Sequence, residues 1–510
     1  MLSKHKPATA KNTPAAAAPP LDEDDNHDDM IYDDLALELL IDQMRSEDDS
    51  YAKDRRITRE VAPYILSRMM TDRLHSGKDI ELSHLFSEFQ TGFPNDEEGN
   101  ARSRQFQDAI KQMASDIPLS CSVIITTLGN CDDLGSIKGF RPAMVLVDEA
   151  GVCTEPDLIM AIANFPEAEA FVLCGDPKQN RPTVISPATS LVYHNQLTID
   201  NFETKHEGDV VKTGQPTAPE APQNEFSEQL KTSPLVRLVE RLQWPSIMLT
   251  HQRRAVPGIR QIWGKLYDNR IQDAPGTEVN SRQNAMKFQT LMKEKHGLDN
   301  CSYVVMDVRG SVDRKSGTSI YNPAFIDVAL GCLESLFAAN FPATDICIIT
   351  PYQAERRAFI NAFAHMSKTL KAEGAWVEQL QFVDAVTIDS FQGDERSIVI
   401  VDLVAAAGVR RRFVEDGHRL NVAISRARDG MIIIGDGMGA STQPQELLQL
   451  IRSGKKIINL GNLYTGIFAC ALSDGFLIPV EANAYPGKQW WAKYEAPPES
   501  VVFNKRNSSQ

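Results

Sequence analysis

The sequence predicts an α/β protein with two sheet-forming blocks in series behind a helical N-terminal segment. Three observations predict it. Between Leu35 and about Ile117, apolar residues recur three and four apart, as in Leu35, Leu37, Leu39, Leu40 and Met44, and later Val61, Ile65 and Met69, the period of an amphipathic helix. From Ser122 onward, short β-rich runs alternate with helical stretches, a pattern that implies a parallel sheet covered on both faces. The alternation breaks over residues 195–232, a polar stretch containing Pro216, Pro219 and Pro222, and then resumes.

Taken in order, residues 1–34 are Ala/Pro-rich and then acidic, and hold too little apolar surface to order themselves. Residues 35–120 form the helical segment, with a loop at Gly92–Arg102. The first block, 121–194, offers strands at Val123–Thr126, Met144–Val147 and Phe171–Cys174. Residues 195–232 read as a flexible insertion, since structureless loops of that length are uncommon inside a domain. The second block, 233–470, offers strands at Tyr303–Val308, Ile346–Thr350, Ala385–Ile388, Ile398–Val401, Met431–Ile434 and Lys456–Asn459. Residues 471–510 are a tail carrying Trp490-Trp491, which either docks on the body or binds a partner.

Composition narrows the function classes. The net charge of −15 argues against a protein that coats nucleic acid through bulk electrostatics. Residues 1–60 contribute −7 of it, from 15 Asp/Glu against 8 Lys/Arg. Elsewhere Arg253-Arg254, Arg356-Arg357 and Arg410-Arg411-Arg412 form local basic clusters of the kind a narrow single-strand channel needs. Eight scattered cysteines show no Cys-x-x-Cys pair and no zinc spacing, so reduced thiols in an intracellular protein are the expectation. No apolar run reaches the roughly 20 residues of a membrane span, and no signal peptide is visible. Cytoplasm and nucleus both stay open.

Chemistry gathers in five motifs and at one further strand end. Met144–Val147 delivers Asp148-Glu149 at a strand's C-terminal end, where open α/β sheets place ligands. The first acid suits Mg²⁺ and the second suits polarising an attacking water; a plain strand-end turn is the alternative. Phe171–Cys174 runs into Gly175-Asp176-Pro177-Lys178-Gln179, a second acidic turn that frees Gln179. Gln252-Arg253-Arg254 and Ser425-Arg426 supply cations of the geometry that stabilises a transferring phosphoryl group, or else salt bridges. Phe391-Gln392-Gly393-Asp394-Glu395 joins two apolar strands, and Thr350-Pro351-Tyr352 ends another. Tyr352 reads equally as a stacking platform for a base and as a core aromatic.

This ordered series resembles the superfamily 1 helicases, the family of the RNA helicase of nonsense-mediated decay. The resemblance runs from about Cys121 to Gly435 and includes Thr126-Thr127 and Gly317–Asn322. It implies P-loop NTPase-type tandem RecA-like domains, the first one incomplete, that use ATP and Mg²⁺ on single-stranded RNA or DNA. It assigns Asp148 to Mg²⁺ through water, Glu149 as base, Gln179 as γ-phosphate sensor, and Arg254 and Arg426 as arginine fingers. Gln252, Arg253, Gly393 and Glu395 fall at nucleotide contacts; Thr126, Thr350, Pro351, Tyr352 and Thr387 fall at strand contacts. The acids and Gln179 are expected on one wall of a cleft and the two arginines on the other.

The sequence departs from the family in three ways. It has no Gly-x-x-x-x-Gly-Lys-Ser/Thr loop; the nearest approach, Ser76-Gly77-Lys78-Asp79, ends in an acid. The adenine-recognition segment that precedes that loop is absent too, and Arg253 stands where an aromatic is common. The expectation is a helicase-family motor truncated before its phosphate loop. The competing reading is a degenerate helicase that binds nucleic acid or a partner without hydrolysing ATP. Protein partners are expected, if anywhere, at the acidic N-terminal segment or the Trp490-Trp491 tail.

Overall fold

The computed structural model describes residues 66–76, 80–184, 226–317, 319–369, 375–406, 414–438 and 443–482. The acidic N-terminus, most of the 195–232 insertion, Arg410-Arg411-Arg412 and Trp490-Trp491 lie outside the described residues. The described chain divides into two compact units. One comprises residues up to Val145 together with Pro156–Val172; the other comprises Leu146–Glu155 and everything from Leu173 on.

In the first unit, helices α1 (Leu66–His75), α2 (Ile80–Thr91) and α3 (Glu97–Ser120) pack around Phe86, Phe89, Phe106 and Ile110. Helix α3 starts where Asp96 accepts a hydrogen bond from the Gly99 N–H at 2.7 Å, with Glu97 and Glu98 in the first turn, satisfying free N–H groups and complementing the helix dipole. A second small cluster joins Cys131 on α4 (Cys131–Ser136) to Ala161 on α5 (Glu155–Asn164) and Phe165.

Strands β1 (Met144–Val147) and β2 (Ala170–Leu173) pair in a two-stranded sheet, and the division between units passes through both. The expected strand Val123–Thr126 does not form. Val123 and Ile125 are 78% and 95% exposed; β-branched residues favour a strand only when a neighbour supplies hydrogen bonds and packing.

The second unit carries the main sheet. After the short pair β3 (His251–Gln252) and β4 (Gln272–Asp273) come β5 (Tyr303–Arg309), the hairpin β6 (Arg314–Ser316) and β7 (Ser319–Tyr321), β8 (Ile346–Thr350) and β9 (Asp384–Thr387). They are followed by β10 (Arg396–Asp402), β11 (Ala427–Gly435) and β12 (Leu477–Glu481). Six of these form one sheet in the order β12-β5-β11-β10-β8-β9, every pair parallel.

Side chains alternate between two cores, as the two-residue strand period requires. Val304, Met306, Ile348, Ile398, Ile400 and Ile432 face α7 (Gln283–His296), α8 (Pro323–Ala338) and α9 (Gln353–Thr369). Val305, Cys347, Ile349, Val399, Val401 and Ile433 face α6 (Pro257–Gly264), α10 (Gly417–Ile424) and, past α11 (Gln443–Arg452), α12 (Leu463–Asp474). Burial on both faces is what makes the strands read as continuous apolar runs.

Two expectations for this block are corrected. Lys456–Asn459 is not a strand but an irregular approach to α12. The sheet also does not stop at residue 470: β12, placed in the tail by the sequence reading, is its edge strand. Pro479 lies within β12 opposite Asp307, and proline is tolerated at a sheet edge, where one side of the strand needs no donor.

Candidate nucleotide site

Asp148, Glu149, Gln179, Arg254 and Arg426 all belong to the second unit. β1 delivers Asp148 and Glu149 into a turn, where Asp148 is exposed and its Oδ1 accepts the Glu149 N–H at 3.0 Å. Glu149 has φ +52°, a conformation that side-chain-bearing residues seldom adopt outside functional turns. The second acidic turn lies directly against the first. A Cβ on Gly175 would stand 2.9 Å from the Gly151 nitrogen, and one on Gly151 would stand 3.1 Å from the Asp176 carbonyl. Only glycine lets the two backbones approach this closely.

The Asp176 side chain shapes its own turn by accepting the Lys178 N–H at 2.9 Å, and its other oxygen accepts from the Tyr267 hydroxyl. Asn421, fully buried on α10, donates to the Lys178 carbonyl and to the Tyr267 oxygen, both at 3.0 Å. His418 on the same helix engages the Gln179 carbonyl through Nδ1 at 2.9 Å, while Arg181 reaches its Nε2. A carbonyl and a guanidinium on opposite ring nitrogens fix one neutral tautomer, protonated on Nδ1. Burial, and then the charge of Arg181, lowers the His418 pKa and keeps the ring neutral.

Arg426 completes the turn's surroundings. It is 2% exposed, donates from Nη2 to Gln179 Oε1 at 2.8 Å and from Nε to the Val422 carbonyl at 3.0 Å. Burial, then repulsion from Arg254, pulls its pKa down to about 10 against the attraction of Glu149 and Asp176. It stays a cation at neutral pH. Gln392 ties in the remaining motif: its amide donates to Glu149 Oε2 at 2.9 Å and accepts from Asn180 at 2.7 Å.

Other predicted residues sit differently. Arg254 is half-buried and donates to Glu395 Oε2 at 2.6 Å and to the Ser425 carbonyl at 3.2 Å, so two expected nucleotide contacts hold each other. The Gln252 amide gives its N–H groups to Ala255 and Asp273, and its oxygen accepts the Arg254 and Ala255 N–H groups at 2.9 and 2.8 Å. It shapes the loop that presents Arg254. Arg253 is exposed, and Gly393 takes φ +90° in an open turn.

Among the expected strand contacts, Thr350 and Thr387 are paired neighbours at the C-terminal ends of β8 and β9. Both are buried, as is Pro351, and Tyr352 is half-buried. Thr387 shares hydrogen bonds with Ser390. Thr126 lies in the other unit, exposed and outside any strand.

Two family models of an AAA domain match in tandem, over residues 38–187 and 230–438. The chain is 27% identical to the probable RNA helicase armi of Drosophila melanogaster, over 61% of this chain and 24% of that protein. It is 25% identical to helicase SEN1 of Saccharomyces cerevisiae, over 70% and 14%, and 23% identical to the probable helicase senataxin of Homo sapiens, over 81% and 14%. The chain belongs to the superfamily 1 helicases. Its fold is that of tandem RecA-like P-loop NTPase domains; among the described residues, the six-stranded sheet falls within the second family match except for β12, which lies beyond it, and β1 and β2 fall within the first. This helicase chain spans about a quarter or less of the length of those relatives. A crystal structure of the arterivirus nonstructural protein 10 helicase matches at 14% identity over 58% of this chain and 40% of that one, with a TM-score of 0.25, a likeness too slight to bear on the fold.

Sequence reasoning missed Tyr267, His418, Asn421, Asn180 and Gln392 as parts of this site. His418 and Asn421 stand three apart, a few residues before Ser425-Arg426, which puts both on one helix face. That spacing was the available signal. Tyr267, 91 residues from Asp176, carried none. No cluster of three or more His, Cys, Asp or Glu able to hold a metal occurs among the described residues.

Proposed function

We propose that this chain is the motor region of an ATP-driven helicase acting on single-stranded RNA or DNA, and that alone it hydrolyses ATP slowly or not at all. The observation that carries the reading is Arg426. A buried cation donating to Gln179, within the attraction of Glu149 and Asp176, is placed to offset charge on a transferring phosphoryl group. In this reading Glu149 polarises the attacking water, and Gln179 reports the γ-phosphate to α10. Asp148 holds Mg²⁺, which when bound would neutralise phosphate charge. Arg254 exchanges its pairing with Glu395 for the nucleotide, and Glu395 then meets the ribose.

Slow turnover follows from what the sequence lacks. A phosphate loop supplies a lysine and a cradle of N–H groups for the β- and γ-phosphates, together with a hydroxyl for Mg²⁺. Lys178 does not replace it, since its turn is occupied in presenting Gln179 and brings no cradle of N–H groups with it. Arginines aimed at a loosely held triphosphate recover little of the rate. The same absence favours the second reading, a module that binds a strand or partner without hydrolysis.

The test is ATP turnover with and without single-stranded RNA or DNA, comparing the natural chain with Glu149→Gln. Slow, unstimulated turnover with weak, salt-sensitive strand binding is expected. Robust stimulated turnover abolished by Glu149→Gln would show a phosphate grip that the motifs do not reveal. Turnover absent while strand binding is tight and indifferent to ATP would favour the binding module.

A further inference from the structure

The C-terminal edge of the main sheet buries two carboxyl groups that the nucleotide site does not use. Glu355 lies in the first turn of α9 and Asp402 ends β10, and both are fully buried. Glu355 Oε2 accepts the Asn322 N–H at 2.8 Å, and Asp402 Oδ1 accepts the Val404 N–H at 2.9 Å. Glu355 Oε1 and Asp402 Oδ2 meet no donor, and the two carboxyl groups act on each other directly. Two neighbouring buried carboxyls that no cation pairs with do not both ionise, so one of the pair carries a proton. Burial, reinforced by the charge of Asp402, raises Glu355 well above the carboxylate range, and burial raises Asp402 to about 7.

The pair holds a strained turn between them. Val404 has φ +62°, and the Ala405 N–H bonds to the Leu403 carbonyl at 2.6 Å. This is the rare positive-φ form of the γ-turn, centred on a β-branched residue, and it persists only where contacts enforce it. Asp402 enforces it from one side. Asn322, itself fixed by Glu355, donates to the Val404 carbonyl at 2.9 Å from the other. Asp313 accepts from the Ala406 N–H at 3.4 Å. In sequence the turn leads toward Arg410-Arg411-Arg412.

We propose that Glu355 and Asp402 form a proton-operated latch, in which one shared proton keeps the strap Leu403–Ala406 closed and its loss lets the strap open. Asp313 on the β5–β6 connection and Tyr352 before α9 also bear on this region, and Asp313 acts on Tyr352. Among the described residues no cation pairs with either latch carboxyl. The closed strap therefore holds a proton that the open one releases above the ordinary carboxylate range. Its stability is greatest at low pH and falls as pH rises through neutrality.

Hydrogen exchange at the Val404 and Ala406 amides tests this on the full chain. Between about pH 6 and about pH 8.5, their protection factors should fall about tenfold or more. In Glu355→Gln they should stay flat, because the amide donates to Asp402, still accepts from Asn322 and has no proton to lose. An equal fall in the variant, or no pH dependence in the natural chain, overturns the latch. If Glu355→Gln does not fold, Asp402→Asn asks the same question from the opposite partner. Failure of both to fold would also overturn it, since a protonated carboxyl tolerates its isosteric amide.

Discussion

At the residue scale, the turn Asp176–Gln179 is organised less by the motif arginines than by side chains without obvious chemistry. Tyr267 donates to Asp176 and accepts from Asn421, whose amide also holds the Lys178 carbonyl. Burial, then the charge of Asp176, raises the Tyr267 pKa, so its hydroxyl stays a donor throughout the accessible pH range. Tyr267→Phe keeps the ring and its edge-on contact with Trp263 but leaves Asp176 and Asn421 without this partner. Denaturant unfolding should show a loss of about 1–3 kcal/mol. A stability equal to that of the natural chain would mean that solvent replaces the phenol freely and that the turn does not depend on it.

At the element scale, the sequence was most legible where packing is two-sided. Strands β5, β8, β10 and β11 announced themselves through the apolar runs Tyr303–Met306, Ile346–Ile349, Ile398–Val401 and Met431–Ile434, because helices bury both their faces. Legibility failed where context overrides local preference. Val123–Thr126 has strand residues without a strand neighbour, and β12 hides behind Pro479, which only an edge position permits. The juxtaposition of the two acidic turns rests on Gly151 and Gly175, and no local pattern brings these two glycines together. Gly175→Ala would drive a methyl group against the Gly151 nitrogen and Leu235. It should cost about 1–3 kcal/mol as overpacking and should separate Gln179 from Arg426. A crystal structure or thermal melt of the variant that matched the natural chain would show that the close approach is not needed.

At the scale of the whole molecule, the six-stranded sheet is closed to water on both faces, whereas the two-stranded one is not. Met144 and Leu146 on β1 are each 59% exposed, and Val123 and Ile125 of the neighbouring sequence segment are more so. Exposed apolar side chains of this kind, on a strand pair that among the described residues has no third strand, are a template for association. The net charge of −15 opposes association at low ionic strength, but charge repulsion is screened within about 10 Å at 0.1 M salt. The purified chain should therefore self-associate as salt and concentration rise, the opposite of the salt response expected for strand binding. Light scattering across a salt series separates the two effects. Replacing Val123 and Ile125 with Glu should suppress the association without lowering the melting temperature, because neither side chain is buried. Association unchanged by that double substitution would move the sticky surface elsewhere, whereas a lowered melting temperature would show that this segment is packed in solution.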